Sequence, residues 1–159
     1  MSTVRPAALT DRDTVTELVR ETIKAVYPKY YPAGAVDFFL AHHKSEKIAS
    51  DIEAGKVYVL VADSVTVGTV TIDGNDIARL FVKPSEQGKG HGGQLLDFAE
   101  NMILGYSKTV RLDSSLPAKS IYIKRGYKEK EYCKILTDNG DFLCYDVMEK
   151  NIANNIKKD

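Results

Sequence analysis

Val15, Leu18, Val19, Thr22 and Val26 recur at helical spacing and predict an amphipathic helix with that stripe turned inward. Thr10 is the expected N-cap, with Asp13 three residues on. Pro28 closes the helix, because the residue before a proline avoids helical geometry. A short strand is expected at 3–7, and helical stretches at about 35–43 and 45–54, the last stopped by Gly55.

From there the period shortens to two. KVYVLVAD and VTVGTVTI are β-branched runs that predict an antiparallel hairpin turning at Asp63–Ser64. DIARLFVK reads as a third strand, 92–104 as a helix, KTVRLDSS as a strand, and 118–124 as a short helix broken by Gly126. EYCKILT and FLCYDVMEK form a closing hairpin around Asp138-Asn139-Gly140. This order predicts an α/β (α+β) fold: a single mixed sheet with helices on both faces. Residues 1–150 are expected to form one domain and 151–159 a short solvated polar tail.

Composition narrows the classes. A chain of 159 residues, 43% hydrophobic and 28% charged, suits one globular domain. Lysine plus arginine equal aspartate plus glutamate at 22 each, so no charge excess argues for nucleic acid or an anionic membrane surface. No apolar run approaches the ~18 residues of a membrane span. The N-terminal MSTVRPAALTDRD lacks the apolar core of a signal peptide, and a cytoplasmic location is expected. Cys133 and Cys144 have no metal-ligand spacing and read as reduced thiols, so no metal is expected.

The chemistry concentrates between Phe81 and Asn101, FVKPSEQGKGHGGQLLDFAEN. Four glycines fall within six residues just before a helix. A helix start offers unpaired N–H groups and the positive end of a dipole, and glycine lets an anion come close. A phosphate fits. Gly88, Gly90 and Gly93 match the dinucleotide pattern G-x-G-x-x-G, and Asp113 lies where a ribose-binding acid would. The context contradicts that reading: Lys83, Pro84, Ser85, Glu86 and Gln87 separate the strand from the glycines, and the chain ends in an antiparallel hairpin. A P-loop fails because Lys89 is followed by Gly90.

The other template is Gln/Arg-x-x-Gly-x-Gly/Ala after a strand, filled by Gln87, Gly90 and Gly92. Here the sequence resembles the GNAT superfamily of N-acetyltransferases, from the first strand to Glu149 and most specifically over Ile77–Leu96. A second block, SSLPAKSIYIKRGY, carries Ala118, Tyr122, Gly126 and Tyr127 in the family's Ala-x-x-x-Tyr-x-x-x-Gly-aromatic pattern. The resemblance implies a GNAT-like fold with about six to seven mostly antiparallel strands. It implies acetyl-CoA as cosubstrate, with its pyrophosphate on the backbone of Gly88, Lys89, Gly90, His91 and Gly92. Lys89 is then either a cation near phosphate or a solvated loop lysine, and His91 a spacer. Pantetheine is expected along Leu80, Phe81 and Val82, in a gap where two strands splay.

By the same resemblance Tyr122 is the expected proton donor to the leaving thiolate. Asp76 is the expected base acting through water, with turn chemistry in Asp73-Gly74-Asn75-Asp76 as the alternative; on an unbulged strand it shares a face with Ala78, Leu80 and Val82. Ser115 stands where the family often has asparagine, leaving one pantetheine contact in doubt. Tyr27, Tyr30, Tyr31, Phe38 and Phe39 either wall an acceptor pocket or pack helices onto the sheet, and His42 and His43 read as surface or capping residues. The expected activity is acetyl transfer to a primary amine of a small molecule, or of a protein; a non-catalytic CoA-binding module is the alternative. A homodimer stays open.

Overall fold

The computed structural model describes residues 1–153. A seven-stranded sheet carries helices on both faces. Its strands are β1 (Ser2–Pro6), β2 (Val57–Ala62), β3 (Val65–Asp73), β4 (Asp76–Val82), β5 (Thr109–Ser114), β6 (Lys128–Leu136) and β7 (Phe142–Asn151), in the order β1-β2-β3-β4-β5-β7-β6. Every pairing is antiparallel except β4 with β5. The helices are α1 (Arg12–Val26), α2 (Ala33–His42), α3 (Ser45–Glu53), α4 (His91–Leu104) and α5 (Lys119–Lys124).

Two cores form, one on each face. Val15, Leu18, Val19 and Ile23 of α1 pack with Ile48 and Ile52 of α3 over Val57, Val59 and Phe81. On the other face Leu95, Leu96, Ala99 and Ile103 of α4 pack over Val67, Val70, Ile77, Val110 and Leu112, with Tyr122 of α5. Ile23 completes the α1 stripe, whereas Val26 is only partly buried.

Thr10 does not cap α1. A 3-10 turn at Leu9–Asp11 precedes the helix, and the Asp11 carboxylate accepts the Ala8 N–H at 2.8 Å while gripping Arg5 through both oxygens. Asp63 and Ser64 turn the first hairpin with φ of +48° and +66°, the left-handed pair that a two-residue loop needs. β7 runs to Asn151, and Ile152 behind it is fully buried, its N–H bonded to the Lys108 carbonyl, so the solvated tail does not begin at 151. Residues 154–159 of that tail lie outside the described residues.

Two irregularities in β4 shape the site. β4 pairs with β5 only at Asp76↔Arg111 and Ile77↔Leu112, after which the strands part. β4 also bulges: Thr69 faces Phe81 and Thr71 faces Ala78, so Arg79 and Leu80 together oppose one residue of β3. Arg79 takes up the extra length with φ +49°. The bulge reverses the alternation, so Ile77 enters the α4 core while Phe81 enters the α1–α3 core. Asp76 and Ala78 therefore do not share a face with Leu80 and Val82, as an unbroken strand would require.

Candidate active site

The glycine loop links the splayed end of β4 to α4. Gly88 and Gly90 have φ of +79° and +86°, which only glycine adopts freely. The first helical bond of α4 is Gln94 N–H to the Gly90 carbonyl, at 3.1 Å. Each main-chain N–H from Gly88 to Gly93 therefore has no acceptor among the described residues. Six free donors at the positive end of a fourteen-residue helix form an anion cradle. Gln87 lines the cleft beside that cradle, and its amide donates to the Val82 carbonyl at 3.0 Å and ties the loop to β4. The Lys89 ammonium pairs with Glu86 at 2.9 Å, and His91 Nε2 lies 3.8 Å from the same carboxylate.

From the cradle a cleft of about 650 Å³ runs past Thr22, Leu80, Phe81, Val82 and Ser115 to Tyr122. A second hollow of about 420 Å³ opens on the α2 side, between Phe38, Phe39 and His42 and the strand residues Ile135, Leu143 and Tyr145. Tyr27, Leu80, Phe81, Ser115, Ala118 and Tyr122 line both. The splay thus makes a passage through the sheet, and Tyr122 stands at its junction.

α5 is positioned by charge. Its C-cap Arg125 is ion-paired with Asp97 and with the buried Glu100 of α4, and Lys150 reaches the other oxygen of Glu100 at 2.6 Å. The Tyr122 ring lies against Tyr127, centroids 5.6 Å apart. Its hydroxyl has no hydrogen-bond partner among the described residues, and none of their buried side-chain polar atoms is left unpartnered, so the hydroxyl keeps some exposure in the cleft that Tyr122 lines. Burial, and then the neighbouring Tyr27, push the Tyr122 phenol above its ordinary pKa, which keeps it protonated at neutral pH.

The second hollow is aromatic near the junction and charged at its far end. Tyr27 packs edge-on to Phe39 at 4.7 Å and also lies against Tyr31 and Phe81. Tyr27, Phe38 and Phe39 wall the pocket, Tyr31 packs behind them against Tyr27 and Phe39, and Tyr30 alone of the five stays exposed. Tyr31 is a bolt, its hydroxyl accepting the Leu116 N–H at 2.7 Å and donating to the Cys144 carbonyl at 3.2 Å. At the tip of the closing hairpin, Asp141 accepts the Gly34 N–H at 2.8 Å and clasps α2 to the hairpin.

At the far end Asp76 pairs with Arg111 at 3.1 Å, and Asp113 lies 3.6 Å from the same guanidinium. Burial raises the Asp113 pKa against the opposing pull of Arg111. Asp76 sits four residues along β4 from Leu80, roughly 13 Å at strand rise, too far for direct contact with the junction. Asp113, two residues from Ser115, is nearer. Its position in the sequence suggested only a ribose-binding acid, and the structure puts it in this pocket.

His42 is exposed in the last turn of α2 and His43 is that helix's C-cap, its N–H bonded to the Phe39 carbonyl at 3.1 Å, but both rings also line the second hollow. His42 stacks on Phe38 within the hollow, and burial followed by Arg79 lowers its pKa. His43 accepts a hydrogen bond from Arg79, a buried residue that drew no attention in the sequence. A lone arginine on a β-branched strand carries no signal of burial; its bulge would have been the only cue.

A β4–β5 splay, a free N–H cradle at its mouth and a phenol at the junction of two pockets define an acyltransferase. Residues 26–137 match the Acetyltransferase (GNAT) domain, and the chain belongs to this family of acetyltransferases. No curated protein matches the sequence. Among solved structures, a GCN5-related N-acetyltransferase from Rhodopseudomonas palustris superposes with a TM-score of 0.87 at 21% identity, over 95% of this chain and 96% of that one. The PaiA N-acetyltransferase of Thermoplasma acidophilum, solved with coenzyme A, gives 0.74 at 25% identity, over 95% and 99%. The ribosomal-protein-S18-alanine N-acetyltransferase of Escherichia coli gives 0.70 at 15% identity, over 96% and 94%. No helix among the described residues is long and apolar enough to cross a membrane.

Proposed function

We propose that the chain transfers an acetyl group from acetyl-CoA to a primary amine of a small molecule by direct attack on the thioester. The observation that carries this reading is the open Tyr122 hydroxyl where the two pockets meet. Coenzyme A bound to the PaiA relative supports the cosubstrate. The pyrophosphate would take the N–H groups of Gly88 to Gly92, at about 1.5–3 kcal/mol for each bond to a charged oxygen. Pantetheine would follow Leu80, Phe81 and Val82 along the β4 edge that β5 leaves unpaired, past Ser115.

The acceptor amine must arrive neutral. With a pKa near ~10.4, about one molecule in two thousand is neutral at pH 7, a deficit of about 4.6 kcal/mol. Water in the second hollow relays the proton to the carboxylates of Asp113 and Asp76. The amine nitrogen then bonds to the acetyl carbon, free N–H groups of β4 at the splay hold the oxyanion, and the C–S bond breaks. Tyr122 gives its proton to the departing thiolate and regains one from the second N–H that the nitrogen gives up as the amide forms, while the first proton passes from the carboxylates to solvent. The products are the acetamide and the free thiol.

Thiol release from acetyl-CoA over an amine panel tests this reading. Turnover that falls in Tyr122→Phe supports it. Tight CoA binding with no turnover on any amine leaves a CoA-binding module instead.

A further inference from the structure

The β4 bulge holds a guanidinium in an unusual place. Arg79 has φ +49°, the left-handed region that is strained for any residue with a side chain. Its side chain is only 4% exposed, and its three nitrogen positions are each engaged. NH2 meets Asp51 at 3.0 Å, NH1 donates to the Thr71 hydroxyl at 3.1 Å, and Nε donates to His43 Nδ1 at 3.2 Å. Lys47 adds a second cation to Asp51, at 3.3 Å. A buried ion pair of this kind is weak evidence for stability, since well-packed apolar residues often serve as well. Strain and buried charge together, in the wall of a substrate pocket, point to a role in that pocket.

The donor chemistry fixes the histidine. A guanidinium has hydrogens to give and no lone pair to offer, so His43 Nδ1 must be the acceptor. The ring hydrogen is then on Nε2. Nε2 bonds to no described residue, but no buried side-chain polar atom among those residues lacks a partner, so Nε2 is accessible. His43 lines the acceptor hollow, with its ring edge-on to Phe81 at 5.6 Å and to His42 at 4.9 Å.

We propose that His43 is a specificity-determining residue of the acceptor pocket, a neutral imidazole locked as an Nε2–H donor that reads an uncharged oxygen on the acceptor amine. The proposal rests on the acceptor-pocket reading above. The charges that face the ring are Arg79 from β4 and His42 from α2, with Asp51 and Lys47 of α3 behind the guanidinium. Burial first, then Arg79, depress the imidazolium pKa to about 3, so His43 is a donor at neutral pH and not a base. A carboxylate would also accept from Nε2–H, but Asp73, Asp76 and Asp113 line the same hollow, and its half-buried cation Arg111 is already paired with two of them. A hydroxyl or amide oxygen therefore fits better than a carboxylate.

Two measurements test this. Long-range proton–nitrogen correlation on imidazole-labelled protein reads the tautomer without any turnover. His43 is expected as Nε2–H, unchanged from pH 8 to pH 5; protonation in that range, or an Nδ1–H tautomer, overturns the lock. Kinetics then compare matched amines, 2-phenylethylamine against its β-hydroxy analogue and n-alkylamines against amino alcohols of equal length. His43→Phe is expected to raise KM about tenfold for the oxygen-bearing member of the preferred pair and to leave the other unchanged. His43→Gln keeps an acceptor for Arg79 and an N–H for the cavity, and is expected to recover part of the loss. Equal shifts for both members overturn the proposal even where the variants fold normally. If no amine turns over, the same pairs are read as shifts of the His43 Nε2 resonance, so this proposal and the assigned activity fail separately.

Discussion

The two ends of the cleft are made of different material. The glycine loop is a single run of chain, and its binding groups are main-chain N–H donors that stay free because α4 begins there. The acceptor hollow is assembled from side chains of α2, β3, β4, β5, β6 and β7, spread from Tyr27 to Tyr145. In the proposed function one end would take the diphosphate of acetyl-CoA and the other a particular amine, and side chains are what can vary. The comparison teaches that the cosubstrate end is a property of local sequence and the acceptor end a property of the packed molecule.

The junction is where the comparison is most easily broken. Tyr122→Phe removes a hydroxyl that bonds to no described residue, so folding and CoA affinity are expected to hold within about threefold while turnover drops about a hundredfold or more. Pre-steady-state thiol release alongside calorimetric CoA titration checks this. Loss of affinity without loss of turnover would move Tyr122 from the chemistry to the cosubstrate end.

Acid stress should find the acceptor end first. Unfolded His43 takes a proton near pH 6.5, but the folded residue does so only near 3. Below 6.5 the unfolded state therefore binds more protons, and stability falls as the pH falls through that window. The loss attributable to His43 is about 2 kcal/mol at pH 5, from 1.5 pH units at ~1.36 each. Urea melts of the wild type and His43→Gln between pH 8 and 5 should diverge by that amount, with the variant flatter; parallel curves would show that the imidazole is not held neutral.

At the cosubstrate end, Gly90→Ala meets no neighbour within 4 Å, so its whole effect is the left-handed backbone, about 1–2 kcal/mol. CoA affinity is expected to fall roughly tenfold. Gly93→Ala is equally unobstructed and has no such φ, and it is expected to bind CoA normally and to melt slightly higher. Similar behaviour of the two in calorimetry would mean that the cradle does not depend on loop geometry.

The smallest effect belongs to the clasp. A Cβ on Gly34 would lie 1.8 Å from Asn139 Oδ1, so Gly34→Ala must push that side chain off the Thr137 hydroxyl it accepts from. About 1 kcal/mol of stability and a severalfold rise in acceptor KM are expected, with CoA affinity unchanged. Melting curves and the two binding constants distinguish this from a general loosening.

Sequence alone determined the elements and the glycine loop. Helical and alternating periods, Pro28, Gly55 and the Asp138-Asn139-Gly140 turn act over a few residues, and so do the φ requirements of Gly88 and Gly90. Tertiary structure decided what depends on parity and on distant charge. One extra residue at Arg79 moved Asp76 to the face opposite Leu80 and buried an arginine that a strand pattern leaves unmarked. That burial set a guanidinium against His43, a cap of α2 that the sequence could not connect to β4, and the splay brought Asp113 into the second hollow. A hydrogen-bonded turn is fixed by the residues that form it, whereas the ionisation of a side chain depends on the field of groups brought near it only when the chain has folded.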